Sequence, residues 1–295
     1  MAKHEMLKNS IIIGAHPDDE LLWFASILKD VDEVVLIYED FFAEPNIGDA
    51  RRKVIAEFPH PNVTSLGMSE SGAAGCADWR DPRIDRYGIK LGIETNRRIL
   101  TGFARKSYAT IRPSATDRPI PWINSAYQEN FELLKAFLRP RLRADMNVFT
   151  HNPWGEYGHE EHVQLFRVLD GLRQEIGFKL WMSNYCTNRA LPLAMRYFAK
   201  AAGPYVRLPV DKDYAQKLAD LYIKHGCWTW PTDWRWFDEE CFMEAPSDDQ
   251  QPLDFGHLFP LNMFTMSEPK SSLRMTTTVA ASAAGVALAA IALTD

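Results

Sequence analysis

The sequence predicts an α/β protein in which helices cover both faces of a mainly parallel sheet. Short apolar runs, typical of buried strands, alternate with longer segments whose apolar residues recur at helical spacing. This alternation builds βαβ units with right-handed crossovers. The 295 residues are 46% hydrophobic, enough for one large core, and show no internal repeat or clear second-domain boundary. We therefore expect a single domain with a Rossmann-like three-layer fold over residues 8–245.

The first predicted elements are a strand, a turn and a helix. SIIIG (10–14) is a short apolar run closed by glycine, and ELLWFASILKD (20–30) carries apolar residues at helical spacing. A second strand is predicted near 34–38, a helix in DARRKVIAEF (49–58) and a third strand in VTSLGM (63–68). These segments account for two βαβ units.

The pattern breaks down over residues 69–126, which are rich in Gly, Pro, Asp and Arg. A loop of this length is unusual in a compact domain, so we expect it to contain small elements or to cover a site. Helical periodicity returns in YQENFELLKAFLRPRLR (127–143), and MNVFT (146–150) is a further strand candidate. The polar loop that follows leads into a helix beginning near His159.

The remaining predicted elements are the strands FKLWMSNY (178–185) and YVRLPV (205–210) and the helix DKDYAQKLADLYIKHG (211–226). We assign residues 246–295 to a C-terminal extension. Its alanine-rich run, residues 279–293, is shorter than the roughly 18–20 residues that span a bilayer. A disordered appendage, a packed or amphipathic helix and a membrane anchor remain open for this run, in that order of preference.

Composition argues against several partners. With 33 basic and 39 acidic residues the net charge is −6, and no block of Lys and Arg is present, so we do not expect nucleic-acid binding. The four cysteines form no C-x-x-C pair, which favours reduced thiols in the cytoplasm. The apolar stretch before His16 is shorter than a signal-peptide core, and we expect neither secretion nor membrane attachment. Oligomeric state is not predicted.

Two histidine-rich stretches follow predicted strands. The first, IIIGAHPDDE, places His16, Asp18 and Asp19 behind the strand at 10–14. The second, THNPWGEYGHEEH, follows the strand at 146–150 and supplies His151, His159 and His162. Because ligands bind at the carboxyl ends of parallel strands, the two loops can meet at one site. Imidazole and carboxylate groups are good zinc ligands, and a catalytic zinc keeps three protein ligands and one open position.

Spacing distinguishes the residues of each stretch. Residues 16 and 19 can face one point as the chain enters a helix, which leaves Asp18 to handle a proton. His159 and His162 share one helix face, so one can complete a metal site while the other reaches the substrate. The alternative interpretations are an acidic helix cap and a solvated helix surface. The presence of both stretches, each behind a buried strand, favours the metal site.

AHPDDE with the downstream THNPWGEYGHEEH resembles the LmbE/PIG-L family of zinc-dependent N-acetylglucosaminyl deacetylases. The resemblance covers the first strand and helix and residues 146–170, and more faintly DYAQKLADLYIKH (213–225), which is similar to a K-x-x-A-x-x-x-H stretch of that family. It implies one zinc ion, bound by three residues: His16, Asp19 and His162. It also implies three catalytic residues: Asp18 as general base, His159 facing the oxyanion, and Tyr157 beside His159.

Two departures from the family pattern are visible. In GHEEH, Glu161 precedes the last histidine where the family usually has aspartate, which changes a neighbouring group and leaves the ligand in place. The segment YEDFFAEPNIGDARRK (38–53) lacks the Gly- and Thr-rich form typical of the family. The resemblance therefore implies the metal chemistry more strongly than it implies a sugar-recognition pattern.

The implied activity is zinc-dependent hydrolysis of an N-acyl group, most simply acetyl, from a small-molecule amino sugar or its conjugate. Metal-activated water attacks the amide, Asp18 takes its proton, and a cationic His159 and the Tyr157 hydroxyl stabilise the oxyanion. Hydrolysis of another N-acylated natural product or glycolipid remains an alternative, as does a metal- or carbohydrate-binding protein without turnover. A two-metal phosphoesterase and a dinucleotide-binding enzyme fit the motifs less well.

Other side chains are weaker candidates for substrate contacts. Arg51 or Arg52 can reach substrate hydroxyls or an anionic group, although a surface arginine is the ordinary interpretation. Tryptophans can stack on a sugar, although packing is their commoner role. The candidates are Trp154, Trp228, Trp230, Trp234 and Trp236.

Overall fold

The computed structural model describes residues 4–40, 47–92, 123–198, 205–245 and 260–266. Its strands are β1 (Ser10–Gly14), β2 (Glu33–Asp40), β3 (Val63–Ser69), β4 (Ile84–Asp85), β5 (Gly88–Ile89), β6 (Asn147–Thr150), β7 (Lys179–Met182), β8 (Tyr185–Thr187), β9 (Tyr205–Pro209), β10 (Glu239–Glu244) and β11 (Asn262–Phe264). Its α-helices are α1 (Asp19–Trp23), α2 (Ile47–Glu57), α3 (Ile123–Leu138), α4 (Glu160–Ile176), α5 (Leu191–Phe198) and α6 (Lys212–Lys224).

Seven strands form the central sheet in the order β3-β2-β1-β6-β7-β10-β9. The first five are parallel to one another, and β10 is antiparallel to both of its neighbours. The predicted Rossmann-like, mainly parallel α/β fold is therefore confirmed. Strand β1 explains the continuous apolar runs of the sequence: Ile11 and Ile13 face one core and Ile12 the other, and all three are fully buried.

The chain reverses its direction of travel across the sheet at β1. It moves from β1 to β2 and β3 on one side, then crosses to β6 on the other side of β1. A side-chain hydrogen bond of 2.9 Å from Thr150 Oγ1 to the Ile13 carbonyl joins the carboxyl ends of β1 and β6. The loops that leave these two strands carry both histidine-rich stretches, and they begin side by side at the switch point of the sheet.

The helix predicted over residues 20–30 is wrong in length, because α1 ends at Trp23. The backbone N–H groups of Ala25 and Ser26 donate to the carboxylate of Glu240 at 3.2 and 2.9 Å instead of continuing the helical ladder. Glu240 is fully buried, so this side chain from β10 fixes the turn that follows α1. A contact across 214 residues of sequence overrides the local helical pattern.

The predicted strand over residues 178–185 is divided in two. Strand β7 belongs to the central sheet, whereas β8 pairs in parallel with β11 in a separate two-stranded sheet. Strand β11 lies in the stretch that we assigned to the C-terminal extension. Residues 1–264 form one compact unit. Residues 265–295 belong to a second unit, of which the structure describes residues 265 and 266. The alanine-rich run lies outside the described residues.

The excursion over residues 69–126 contains a small antiparallel hairpin, β4 and β5, as expected of a loop of this length. The carboxylate of Glu160, at the start of α4, anchors its first part. It accepts hydrogen bonds from the backbone N–H groups of Gly75 and Ala77 and from the indole of Trp79, at 2.9 to 3.0 Å. Residues 93–122 lie outside the described part of the chain.

All four cysteines are free and buried. Among the described residues, no helix combines the length and the apolar character needed to cross a bilayer.

Candidate metal centre

The three predicted metal ligands meet at the switch point. His16 Nδ1 lies 3.3 Å from Asp19 Oδ2, His162 Nε2 lies 3.4 Å from the same oxygen, and the two nitrogens are 3.3 Å apart. All three side chains are buried. Bonds of about 2.0–2.2 Å place the donor atoms of a tetrahedral zinc about 3.3–3.6 Å apart. The spacing and the N, N, O donor set therefore fit one such ion.

The three atoms belong to a larger buried cluster of His, Asp and Glu side chains that can hold a metal ion. Its members form three overlapping groups: His16, His159 and His162; Asp19, His151 and His162; and His16, Glu70 and Glu161. The hydrogen bonds made by each member show which atoms are available for a metal.

His151 is held by hydrogen bonds at both ring nitrogens. Its Nε2 accepts the backbone N–H of Ala15 at 2.9 Å and lies 3.2 Å from Asp19 Oδ2. An acceptor at Nε2 places the proton of a neutral ring on Nδ1, which donates to Glu156 at 3.1 Å. Because the lone pair of Nε2 faces the Ala15 N–H, His151 is not placed to add a fourth ligand.

Glu156 orients both imidazoles. Its Oε2 accepts from Nδ1 of His162 at 2.8 Å and of His151 at 3.1 Å. Its Oε1 accepts from the Asn152 backbone and the Ser183 hydroxyl at 2.9 and 2.7 Å. Burial opposes ionisation, but the two imidazoles lower the pKa of Glu156 to about 2. The backbone of Glu156 is left-handed, with a φ of 46°. A buried anion thus turns Nε2 of His162 towards the metal position.

Trp23 fixes the carboxylate of Asp19. The indole N–H donates to Oδ1 at 2.7 Å, while Oδ2 accepts the backbone N–H of His16 at 2.7 Å and faces the imidazoles. Burial opposes ionisation of Asp19, yet the neighbouring His162 and His151 hold its pKa well below the usual range. Asp19 is therefore an oriented anion, as a metal ligand must be.

Asp18 occupies the strained turn before α1, with φ of 113°. Its backbone N–H donates to Glu20 at 3.0 Å, and Glu20 in turn accepts a 2.7 Å hydrogen bond from Tyr222. Thr229 donates to Asp18 Oδ2 at 2.6 Å. Burial, reinforced by the charge of Asp19, raises the pKa of Asp18 to about 7. A positive φ at a non-glycine residue is a strained conformation, and the surrounding hydrogen bonds hold it in place.

His159 and Tyr157 stand beside the metal position, with ring centroids 4.7 and 5.2 Å from that of His162. His159 caps α4 by accepting the Glu161 backbone N–H at Nδ1, 3.3 Å away. Burial and the imidazoles of His162 and His16 hold the pKa of His159 well below its usual range. The cationic His159 that we expected is therefore corrected to a neutral ring with its N–H at Nε2. Burial keeps the pKa of Tyr157 well above 10, so it remains a hydroxyl donor.

Two carboxylates face the other nitrogen of His16. Nε2 lies 3.4 Å from Glu70 and 3.4 Å from Glu161. The backbone N–H and hydroxyl of Ser71 donate to Glu161, each at 2.7 Å. Burial raises the pKa of Glu70 to about 8. The sequence prediction missed Glu70, although its position directly after β3, a parallel strand near the switch point, was a usable signal.

The structure separates the two candidate arginines. Arg52 is exposed and pairs with Glu39 and Asp49 at the surface. Arg51 is 2% exposed, donates to the Glu39 carbonyl at 3.2 Å and lies 3.8 Å from Glu70. Its Nε has no hydrogen-bond partner among the described residues. Arg51 therefore remains a candidate for a substrate contact.

The candidate tryptophans also separate into two kinds. Trp154 and Trp236 are buried and donate to backbone carbonyls at 2.8 and 2.6 Å, so they are packing residues. Trp228 packs near Tyr222, with ring centroids 6.3 Å apart. Trp228, Trp230 and Trp234 are all only partly buried. Trp230 contacts the ring of Tyr157 at the metal centre, with centroids 5.2 Å apart.

Comparison of the chain with protein-family models and with curated proteins finds no match. A function for this protein is therefore argued from the geometry of the cluster and from the motifs that lie in it.

Proposed function

We propose that this protein is a zinc-dependent hydrolase of the LmbE/PIG-L type, with one zinc per chain. Its reaction would be removal of an N-acyl group, most simply acetyl, from an amino sugar or its conjugate. The observation that carries the proposal is the 3.3–3.4 Å spacing of donor atoms from His16, Asp19 and His162, in the loops that contain the family-like motifs. We also propose a cytoplasmic location, which the free cysteines support.

His16, Asp19 and His162 would hold the ion. Two imidazoles and one carboxylate are a donor set of catalytic zinc sites, and a zinc so bound acidifies water and polarises a carbonyl group. The hydrogen bond from Ala15 to His151 supports a site with three protein ligands, because it removes His151 as a fourth. Three protein ligands leave one position for water or substrate, whereas a structural site is closed by four.

Asp18 is the proposed general base. It lies next to the ligand Asp19 in sequence, and a pKa raised by burial to about 7 suits a group that takes a proton near neutral pH. Thr229 occupies Oδ2 of Asp18, which leaves Oδ1 to accept the proton of the attacking water. The hydrogen bonds of Glu20 and Tyr222 hold the strained turn on which this carboxylate stands.

His159 and Tyr157 are the proposed donors to the developing oxyanion. Both are neutral N–H or O–H groups, because burial disfavours the imidazolium of His159 and the phenolate of Tyr157. Neutral donors fixed beside the reaction centre stabilise negative charge as it forms. Protonated Asp18 can then supply the proton that the leaving amine needs, whereas a neutral His159 would have to become an imidazolate to do so.

The test combines metal analysis with measurement of the acid released from a panel of N-acetylglucosamine conjugates. The wild-type protein should contain about one zinc per chain and release acetate. Asp18→Asn should keep its zinc and lose about 10²–10⁴-fold in turnover, and His162→Ala should lose the zinc. His225→Ala is the matched control, because His225 bonds Glu57 away from the centre. Wild-type protein that binds no metal, or an Asp18→Asn variant with full activity, contradicts the proposal.

A further inference from the structure

A set of contacting aromatic rings lies beside the candidate metal centre and packs around the buried ring of Trp23. Trp230 lies 5.2 Å from Tyr157, Trp234 lies 5.0 Å from Trp230, and Phe264 lies 5.4 Å from Trp234, measured between ring centroids. We call Trp230, Trp234 and Phe264 the aromatic wall. The wall starts beside the reaction centre, since Tyr157 also lies 5.2 Å from the ring of His162.

Two independent contacts fix the inner end of the aromatic wall. Thr229, which precedes Trp230, donates to the carboxylate of Asp18 at 2.6 Å. The ring of Trp230 packs edge-on against Trp23, with centroids 5.2 Å apart, and Trp23 bonds Asp19. The wall is thus linked to the proposed base through Thr229 and to a proposed metal ligand through Trp23.

The three residues of the aromatic wall are partly exposed, whereas Trp154 and Trp236 are buried. Glu70 lies at the other nitrogen of His16, with Arg51 3.8 Å from it, and the polar side chains next to the wall, Asp18 and Thr229, bond to each other. Sugar rings that stack on tryptophan need polar partners for their hydroxyls, whereas an alkyl or aryl group needs only apolar area. The three rings of the wall offer mainly apolar area, and the polar groups they carry are two indole N–H donors, of which that of Trp234 is buried without a hydrogen-bond partner among the described residues.

We infer that the aromatic wall binds an apolar group of the substrate, an alkyl chain or an aryl ring larger than a methyl group. The inference rests on the proposed amide hydrolysis, because the same molecule would place its amide at the metal centre and its apolar group on the wall. The apolar group can belong to the acyl side or to the amine side of the amide, and both share the chemistry that the wall recognises.

Two series of neutral amides test the inference on the zinc-loaded protein. N-methylalkanamides lengthen the acyl side and N-alkylacetamides the amine side, from two to eight carbons. Ligand-observed NMR gives the affinity of each amide, and the same spectra show any hydrolysis. The metal-free protein is measured in parallel, because apolar contact between a neutral amide and the wall does not require the metal. The variants are Trp230→Ala, Trp234→Ala and the conservative Trp230→Phe, with Trp228→Ala as the matched control.

The expected result is that affinity for at least one series rises by up to about fourfold per added methylene in wild-type protein. This dependence should be lost in Trp230→Ala and Trp234→Ala, and kept in Trp230→Phe and Trp228→Ala. The responsive series identifies the side of the amide that carries the apolar group. Affinity that does not change with chain length in either series overturns the inference, as does a dependence unaffected by loss of Trp230 and Trp234.

The outcomes separate this inference from the proposed hydrolase. Chain-length-dependent binding without hydrolysis of any amide supports the aromatic wall and counts against the hydrolase. Hydrolysis without any chain-length dependence supports the hydrolase and overturns the wall as a binding site.

Discussion

The indole N–H of Trp23 donates a 2.7 Å hydrogen bond to Oδ1 of Asp19, so the two oxygens of this carboxylate face different partners. Oδ2 faces the imidazoles and lies 3.3 Å from Nδ1 of His16 and 3.4 Å from Nε2 of His162. Trp23 is itself fully buried. A buried donor behind a ligand oxygen restricts the carboxylate to one orientation before any metal binds.

Trp23→Phe should therefore weaken zinc binding by about 10–100-fold, because Oδ1 loses its donor while most of the ring packing is kept. The measurement is competition with a chromogenic chelator. Trp236→Phe is the matched control, since Trp236 is also buried and also donates an indole hydrogen bond, to the Leu21 carbonyl at 2.6 Å. Equal zinc affinities in the two variants would show that the Trp23–Asp19 contact is only structural.

Glu156→Gln should also weaken zinc binding, again by about 10–100-fold. The carboxylate accepts from Nδ1 of both His162 and His151, and an amide would turn a donor towards at least one group that already donates. The ring of His162 then loses its fixed orientation. Chelator competition measures this loss, and circular dichroism reports whether the fold is kept.

Glu160→Gln provides the comparison for Glu156. Glu160 is an equally buried carboxylate, but its partners are Gly75, Ala77 and Trp79 and not the histidines of the centre. Its variant should lose about 1–3 kcal/mol of unfolding free energy while keeping zinc affinity. A loss of zinc affinity equal to that of Glu156→Gln would mean that any buried charge near α4 has the same effect.

Thr229→Val should reduce turnover by roughly tenfold without changing zinc content, because the lost hydroxyl frees the Asp18 carboxylate to rotate. Thr229→Ser keeps the donor and should retain nearly the wild-type rate. The measurement is steady-state acid release at matched zinc occupancy. A valine variant as fast as the serine variant would remove Thr229 from the positioning of the base.

The fold and the three proposed metal ligands could be predicted because they depend on local patterns. Buried parallel strands read as apolar runs, and polar residues directly behind β1 and β6 had to meet at the switch point. His16 and Asp19 lie within five residues of the end of β1, and His162 lies in the first turn of the helix that the loop after β6 leads into. The hydrogen bond between Asp19 and Trp23 also had a local signal, an i, i+4 spacing on the first helix turn, which the prediction did not use.

The remaining site residues depend on contacts that local patterns do not contain. Thr229 reaches Asp18 across 211 residues of sequence, and Tyr222 reaches Glu20 across 202. Such pairs follow from the packing of the C-terminal segment on α1, which no periodicity in either segment predicts. The neutral state of His159 likewise follows from burial among other imidazoles, a property of the assembled cluster.

The turn after α1 gives a prediction about stability. Glu240 accepts hydrogen bonds from Ala25, Ser26 and Tyr185, including the Ser26 hydroxyl at 2.6 Å and the Tyr185 hydroxyl at 2.8 Å. Four donors converge on one fully buried carboxylate, so Glu240→Gln places an amide N–H against a donor. We expect the free energy of unfolding in urea to fall by about 1–3 kcal/mol.

Glu239→Gln is the matched control for Glu240. Glu239 is the preceding residue of β10, and its ion pair with Arg207 is 3.3 Å long with both side chains about half exposed. Loss of such a surface pair should cost roughly 0–1 kcal/mol. If Glu240→Gln is as stable as Glu239→Gln, the carboxylate does not hold the turn, and the early end of α1 at Trp23 must come from the packing of the Trp23 and Phe24 rings.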